Sequence, residues 1–379
     1  MNKTVYLDNS ATTKPCKEAV EAINNCLTEN WGNPSSGYLL GINALQVLEN
    51  ARKTVAFSIG AKPDEIFFTG SGTEANNLAL FGAARSRKKQ GNKIVSTTIE
   101  HPSVLKVLDE LKSEGFEVVL ISPQKNGSIS EESLYNAVDS KTVLVSVMLC
   151  NNEIGSVQPV SAAAKIIKEK NAPALLHCDA VQAYGKLPVK VSKLGVDLLS
   201  ASGHKIHASK GIGFLYKSSK INLRPVIYGG GQEAGLRSGT ESVPLIAGLA
   251  AAIKALPDTE KQLYAQKEFY EKTKGMLLST GRVTFNSPED ALPYILNISV
   301  DGYKSEPMLN ALASKNIFVS KGSACAKGHR SYVLSEIGLG NDRIDSAIRI
   351  SFSRENTVED IELLCNAITE ITEKMRRFK

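Results

Sequence analysis

Between about residue 66 and residue 217 the chain alternates short, continuous apolar runs with longer amphipathic stretches. No other feature restricts the fold as strongly. The runs are Glu65–Thr69, Lys93–Thr98, Glu117–Ile121, Thr142–Met148, Ala174–Asp179, Asp197–Ser200 and Ile212–Tyr216. They are apolar along their length rather than alternating with polar residues, which is the pattern of strands buried on both faces. Helical patterns over 74–90, 103–114 and 162–170 lie between them. Strands and helices in this order predict an α/β fold with a mostly parallel central sheet. Such sheets hold ligands at the carboxyl ends of their strands. Thr69, Glu100, Asn152, Asp179 and Ser202 each stand at or just past a strand end, so they are expected to converge. After Pro257 the texture changes to a long polar helix, 260–278, and then shorter strands and helices, which predicts a smaller α+β domain. The 379 residues suit two domains rather than one core. The expected division is a large domain over 15–256 and a small one built from 1–14 and 257–379.

Composition narrows the function. Hydrophobic residues make up 42% and charged residues 22%, with a mild net charge of +6, as in ordinary water-soluble globular proteins. The dense basic stretches, 85–90 and 374–379, read as cationic helix ends rather than a nucleic-acid face. No run approaches a membrane span, and no apolar leader precedes Asp8 and Asn9. Cys16, Cys26, Cys150, Cys178, Cys325 and Cys365 are scattered, without the spacing of a disulfide framework or a metal site. A cytoplasmic protein is the expectation.

Several segments carry chemistry. Asp197–Lys205 runs from an apolar strand into small residues, His204 and Lys205. A lysine shielded where a buried strand meets a turn favours its neutral amine, the form that attacks carbonyls. If Lys205 holds an aldehyde cofactor as a Schiff base, the chain must also supply a phosphate cradle and an acidic partner for a pyridinium nitrogen. The turn Phe68–Asn77 comes after a strand and opens a helix, so Gly72 and Thr73 can present backbone N–H groups to an anion. Asp179 ends a buried strand and needs a partner. His101 comes after another strand and suits ring stacking or proton movement. Asn152, in Cys150–Gly155, can donate to a ring oxygen. The glycine-dense segment 229–240 offers Arg237, Ser238 and Thr240 to a second anion contact. Arg349 lies in an apolar strand and calls for a carboxylate, from the protein or from a substrate. Cys325 sits among glycines, small residues and the cationic Lys321, Lys327, His329 and Arg330. That setting predicts a mobile, exposed loop with a reactive thiolate, whereas the other cysteines sit where burial is expected.

Taken together, Tyr6–Thr13, Gly32–Ser36, Asn151–Gly155, Ser202–Lys205, Arg237–Thr240 and Gly322–Cys325 resemble, in order, the signatures of cysteine desulfurases of the NifS/IscS type. Those are fold-type I pyridoxal-phosphate enzymes of the class-V aminotransferase family. The resemblance covers nearly the whole chain. It implies that Lys205 carries pyridoxal 5'-phosphate, with Gly72, Thr73, Ser202 and His204 on the phosphate. Thr240 would reach the phosphate of a neighbouring subunit, which makes a homodimer with a shared active site. It further implies Asp179 on the pyridine nitrogen, Asn152 and Gln182 on the ring oxygen, His101 stacked on the ring, and Asn33 and Arg349 on the substrate carboxylate. Cys325 would take sulfur from L-cysteine as a persulfide, release L-alanine, and pass the sulfur to an acceptor protein for iron–sulfur assembly or for tRNA or cofactor thiolation. No resident metal is implied, beyond a transient iron–sulfur contact at Cys325. Selenocysteine lyase, or another activity of the class-V aminotransferases, is the alternative on the same fold. The chain departs from the family pattern in having Gly70-Ser71 in reversed order, Tyr38 in place of a common histidine, a short stretch between Cys325 and Ser331, and no C-terminal extension.

Overall fold

The structure is a computed structural model that describes residues 3–322 and 330–377. The strands are β1 (Val5–Tyr6), β2 (Ile66–Thr69), β3 (Lys93–Thr97), β4 (Glu117–Ile121), β5 (Thr142–Ser146), β6 (Leu175–Asp179), β7 (Leu198–Ser202), β8 (Gly213–Lys217), β9 (Val283–Phe285), β10 (Ile295–Val300), β11 (Ile317–Phe318) and β12 (Ala347–Ser351). Seven of them form one sheet in the order β2-β8-β7-β6-β5-β3-β4. Only β8 runs against the others, pairing antiparallel with β2 and β7. The carboxyl ends of β2, β3, β5, β6 and β7 therefore lie along one edge. Each apolar run read from the sequence is a strand, and the sheet is mostly parallel as expected. The exception to two-sided burial is β4, one of the sheet's two edges, which leaves Glu117 and Leu120 exposed.

Helices cover both faces. One layer packs Gly72–Arg87 and Pro102–Ser113 on Leu144, Leu175, Leu198 and Leu215. The other face buries Val145, Leu176, Leu199 and Phe214 against Ile166, Ile246 and Leu249. A second, three-stranded antiparallel sheet, β12-β10-β9, has its own cluster around Ile298, Ile348, Ile350 and Ile368. Val5 and Leu7 belong to that cluster, because β1 pairs in parallel with β11. Arg349 on β12 thereby faces the carboxyl edge of the large sheet.

His177 holds the middle of the large sheet together. It is fully buried on β6, with Nδ1 2.9 Å from Ser146 Oγ on β5 and Nε2 3.0 Å from Ser200 Oγ on β7. Burial pushes its pKa down from 6.5 to about 4. The native ring stays neutral while the unfolded ring takes a proton, so stability is lost as pH falls from about 6.5 towards 4. His177 alone is expected to remove about 2 kcal/mol between pH 7 and pH 5. The drop in melting temperature over that interval should shrink in His177→Asn. An equal drop in both proteins would exclude the effect.

Candidate active site

One cleft of about 280 Å³ opens at the carboxyl edge of the large sheet. Gly72, Thr73, His101, Asn152, Asp179, Gln182, Ser202, His204, Lys205 and Arg349 all line it. Ten residues named from the sequence thus meet in one place. Two do not: Asn33 and Thr240 are exposed, and neither lines the cleft. Cys325 lies outside the described residues. Two of the expected strand-end residues also turn elsewhere. Thr69 donates its hydroxyl to the Ser71 carbonyl at 2.9 Å. Glu100 is fully buried and accepts from Thr97 Oγ1 and Met148 N, each at 2.9 Å. Burial, offset by the Met148 N–H, raises its pKa to about 8.

Lys205 ends the short 3-10 turn Gly203–Lys205 that continues from β7. Its Nζ donates to the carbonyl oxygens of Ser10 and, at 2.7 Å, of Ala11. Burial, then the charges of Lys186 and Arg349, lower its pKa from 10.5 to about 7. A substantial fraction of the amine is therefore unprotonated near neutrality. Lys186 is itself buried, with its own pKa lowered to about 8 by burial. Its Nζ donates to Gln182 Oε1 at 3.2 Å, and Gln182 Nε2 donates to the Ser10 carbonyl at 3.0 Å. The two lysines thus share one hydrogen-bonded chain through Gln182 and Ser10.

The first turn of helix Gly72–Arg87 points into the cleft. Ser71 caps it by accepting from Glu74 N at 3.1 Å. The first N–H groups of a helix have no intrahelical acceptor, and the dipole there favours an anion. Gly72 is required by close approach: a Cβ there would sit 2.8 Å from Val181 Cγ2 and 3.2 Å from Ser202 Cβ. Opposite, His204 Nδ1 lies 3.2 Å from Thr12 Oγ1, and burial, with a smaller push from Lys205, lowers its pKa to about 4. His204 is a neutral hydrogen-bonding ring at this site.

Asp179 ends β6. Its Oδ1 accepts from Val181 N at 2.9 Å and its Oδ2 from Asn76 Nδ2 at 2.8 Å. His101 caps helix Pro102–Ser113: its Nδ1 accepts from Ser103 N at 3.1 Å and lies 2.8 Å from Ser103 Oγ. A backbone N–H can only donate, so Nδ1 carries the lone pair and the ring proton resides on Nε2. Burial lowers the His101 pKa, which keeps that neutral form. Arg349, only 2% exposed, already has its protein carboxylate: Nη2 donates to Asp8 Oδ1 at 2.7 Å. Its Nη1 donates to the carbonyls of Asn152, at 2.8 Å, and Gly322. Arg237, read as an anion contact, pairs instead with Glu74, Nε to Oε1 at 2.7 Å.

The donor set fits pyridoxal 5'-phosphate. An anion cradle, an aldehyde-reactive amine and a carboxylate share the cleft, and Asn152 Oδ1 is buried without a hydrogen-bond partner among the described residues. Sequence reading passed over Asp8, Ser10, Ala11, Asn76, Ser103 and Lys186. Asn76 had a signal: it stands four residues after Gly72 and so shares its helix face. The carbonyls of Ser10 and Ala11 had none, since backbone contacts leave no side-chain signature.

The family model for class-V aminotransferases matches residues 5–364. The cysteine desulfurase IscS of Methanosarcina thermophila is 38% identical, over 99% of this chain and 93% of that protein. Among solved structures, a NifS-like protein superposes with a TM-score of 0.93 at 36% identity, covering 98% of this chain and 100% of its own. SspA in complex with cysteine superposes with a TM-score of 0.82 at 33% identity, covering 92% and 99%. With a fold, a cleft and full-length relatives in agreement, the chain belongs to the class-V aminotransferase family.

Proposed function

We propose that this chain is a cysteine desulfurase that uses pyridoxal 5'-phosphate to move the sulfur of L-cysteine onto Cys325 and release L-alanine. The observation that carries this is the meeting of Lys205, Asp179, His101 and the Gly72 helix end in one cleft, in a chain 38% identical along its length to a cysteine desulfurase. The structural relative SspA is seen in complex with cysteine, which supports the substrate. Bound in the cleft, pyridoxal 5'-phosphate supplies an aldehyde for the substrate amine and an electron sink for charge at the substrate Cα. Gly72, Thr73, Ser202 and His204 would hold its phosphate, Asp179 its ring nitrogen, Asn152 and Gln182 its ring oxygen, and His101 its face.

The chain's own groups do the rest. Lys205 Nζ, with its lowered basicity, can take a proton from the substrate Cα and return one to the carbon skeleton. Arg349 is oriented by Asp8 and the Asn152 carbonyl to bind the substrate carboxylate, with Asn33 assisting. The Cys325 thiolate attacks the substrate sulfur. The Cβ–S bond breaks, an S–S bond forms on Cys325, and Cβ gains a proton, so L-cysteine and a thiol become L-alanine and a persulfide.

Two exposed residues support a second copy of the chain. Thr240 and Asn33 do not line the cleft of their own chain, and Trp31, Tyr38, Leu39 and Tyr228, near the same two segments in sequence, are exposed. A homodimer would cover that apolar surface and bring Thr240 to the partner's phosphate. The second sheet, β12-β10-β9, with its own cluster around Ile298, Ile348 and Ile368, supports division into a large domain, 15–256, and a small one, 1–14 and 257–379, that carries Cys325. Sulfur would pass to an acceptor protein, in the cytoplasm; among the described residues no helix is long and apolar enough to cross a membrane. The loaded protein given L-cysteine and a reducing thiol should form L-alanine and sulfide in equal amounts. Absence of alanine, or alanine without sulfide, would exclude the activity.

A further inference from the structure

We propose that Asn76 is a positioning residue for the cofactor, acting through Asp179; this rests on the reading that Asp179 faces the cofactor's ring nitrogen. Asn76 is 1% exposed and lies one helical turn beyond Gly72. Both hydrogens of its amide are used. Nδ2 donates to Asp179 Oδ2 and to Ser103 Oγ, each at 2.8 Å. The other Asp179 oxygen is held by Val181 N at 2.9 Å. One backbone donor and one side-chain donor therefore fix the plane of the carboxylate. Turning the amide over would set Asn76 Oδ1 against the Asp179 carboxylate, so the two acceptors dictate its orientation.

Ser103 continues the network. Its Oγ accepts from Asn76 and lies 2.8 Å from His101 Nδ1, which is an acceptor, so the Ser103 hydroxyl hydrogen points to the ring. Asn76 is thus the junction between the carboxylate at one part of the cleft and the histidine at another. Asn76 Oδ1 is buried with no hydrogen-bond partner among the described residues. An unsatisfied buried carbonyl is costly, and an apolar side chain of similar size would avoid that cost. The amide is therefore explained by its two N–H groups rather than by packing.

The test compares wild type, Asn76→Leu and Asp179→Asn. The readouts are the affinity of the apoprotein for pyridoxal 5'-phosphate, the pH midpoint of the bound cofactor's visible band, kcat and KM for L-cysteine, and the melting temperature. Asn76→Leu should bind the cofactor about tenfold more weakly, with a shifted midpoint. It should lower kcat with little change in KM. A folded Asn76→Leu with unchanged affinity and midpoint overturns the proposal. Should Asn76→Leu fail to fold, Ser103→Ala decides. It removes the acceptor that orients the amide together with the hydroxyl donor to His101 Nδ1, so it should shift affinity and midpoint in the same direction by about threefold; no shift overturns the proposal. Asp179→Asn separates the two levels. If it leaves both quantities untouched, the assignment of Asp179 fails. If it changes them while Asn76→Leu does not, only the role of Asn76 fails.

Discussion

Lys205→Ala is expected to lower alanine formation from L-cysteine by about a thousandfold or more, the scale of losing a positioned acid–base group that is also the cofactor's anchor. The expectation rests on three features of the site. The amine sits at the end of β7, on a turn held by Gly203, so its position is set by the sheet. The carbonyls of Ser10 and Ala11 aim it, and burial with the neighbouring Lys186 and Arg349 brings its pKa to about 7. A residue with these properties has no substitute nearby. Lys186 is a buried neighbouring lysine, but its Nζ is committed to Gln182 and it does not line the cleft. The fold should survive, since removing a half-buried amine also removes its desolvation cost. A folded Lys205→Ala protein within tenfold of wild-type turnover would exclude the role.

The second large effect is Cys325→Ala, which should abolish persulfide formation while leaving cofactor binding and substrate binding in place. A thiolate is needed to attack the substrate sulfur. The five cysteines of the described residues, Cys16, Cys26, Cys150, Cys178 and Cys365, are all buried. Burial raises every one of their pKa values, to about 12 for Cys150 and about 11 for Cys365, and well above the ordinary thiol range for Cys178. Cys150 does line the cleft, yet its Sγ–H sits 3.6 Å from two backbone carbonyls and is held protonated. Cys325 differs, with Lys321, Lys327, His329 and Arg330 nearby in sequence. Alanine formation by Cys325→Ala at the wild-type rate would show that another group takes the sulfur.

Much of this site was legible in the sequence because strand ends are legible. The apolar runs Lys93–Thr98, Ala174–Asp179 and Asp197–Ser200 are strands that end at Thr97, Asp179 and Ser202, and a parallel sheet gathers the residues at and just beyond those ends: His101, Asp179, His204 and Lys205. The same rule misplaced Thr69 and Glu100, because it finds a residue's position along the strand but not the direction its side chain takes. Two-sided burial failed at β4, one of the sheet's two edges, although the other edge, β2, is fully buried; which edge is left uncovered is a property of the assembled layers, not of the run itself. The Asp8–Arg349 pair, 341 residues apart in sequence, and the Ser10 carbonyl on Lys205 join distant segments and could not be read locally. Asn33 and Thr240 are consistent with a site that one chain does not complete.

Sulfur from L-cysteine is expected to come to rest on Cys325. Mass spectrometry of the cofactor-loaded protein after brief exposure to L-cysteine, without reductant, tests it most directly. One additional sulfur atom on the peptide containing Cys325, with L-alanine released in equal amount and neither seen in Lys205→Ala, is the predicted result. Alanine released with no sulfur on that peptide, or sulfur carried by another cysteine, would contradict the claim.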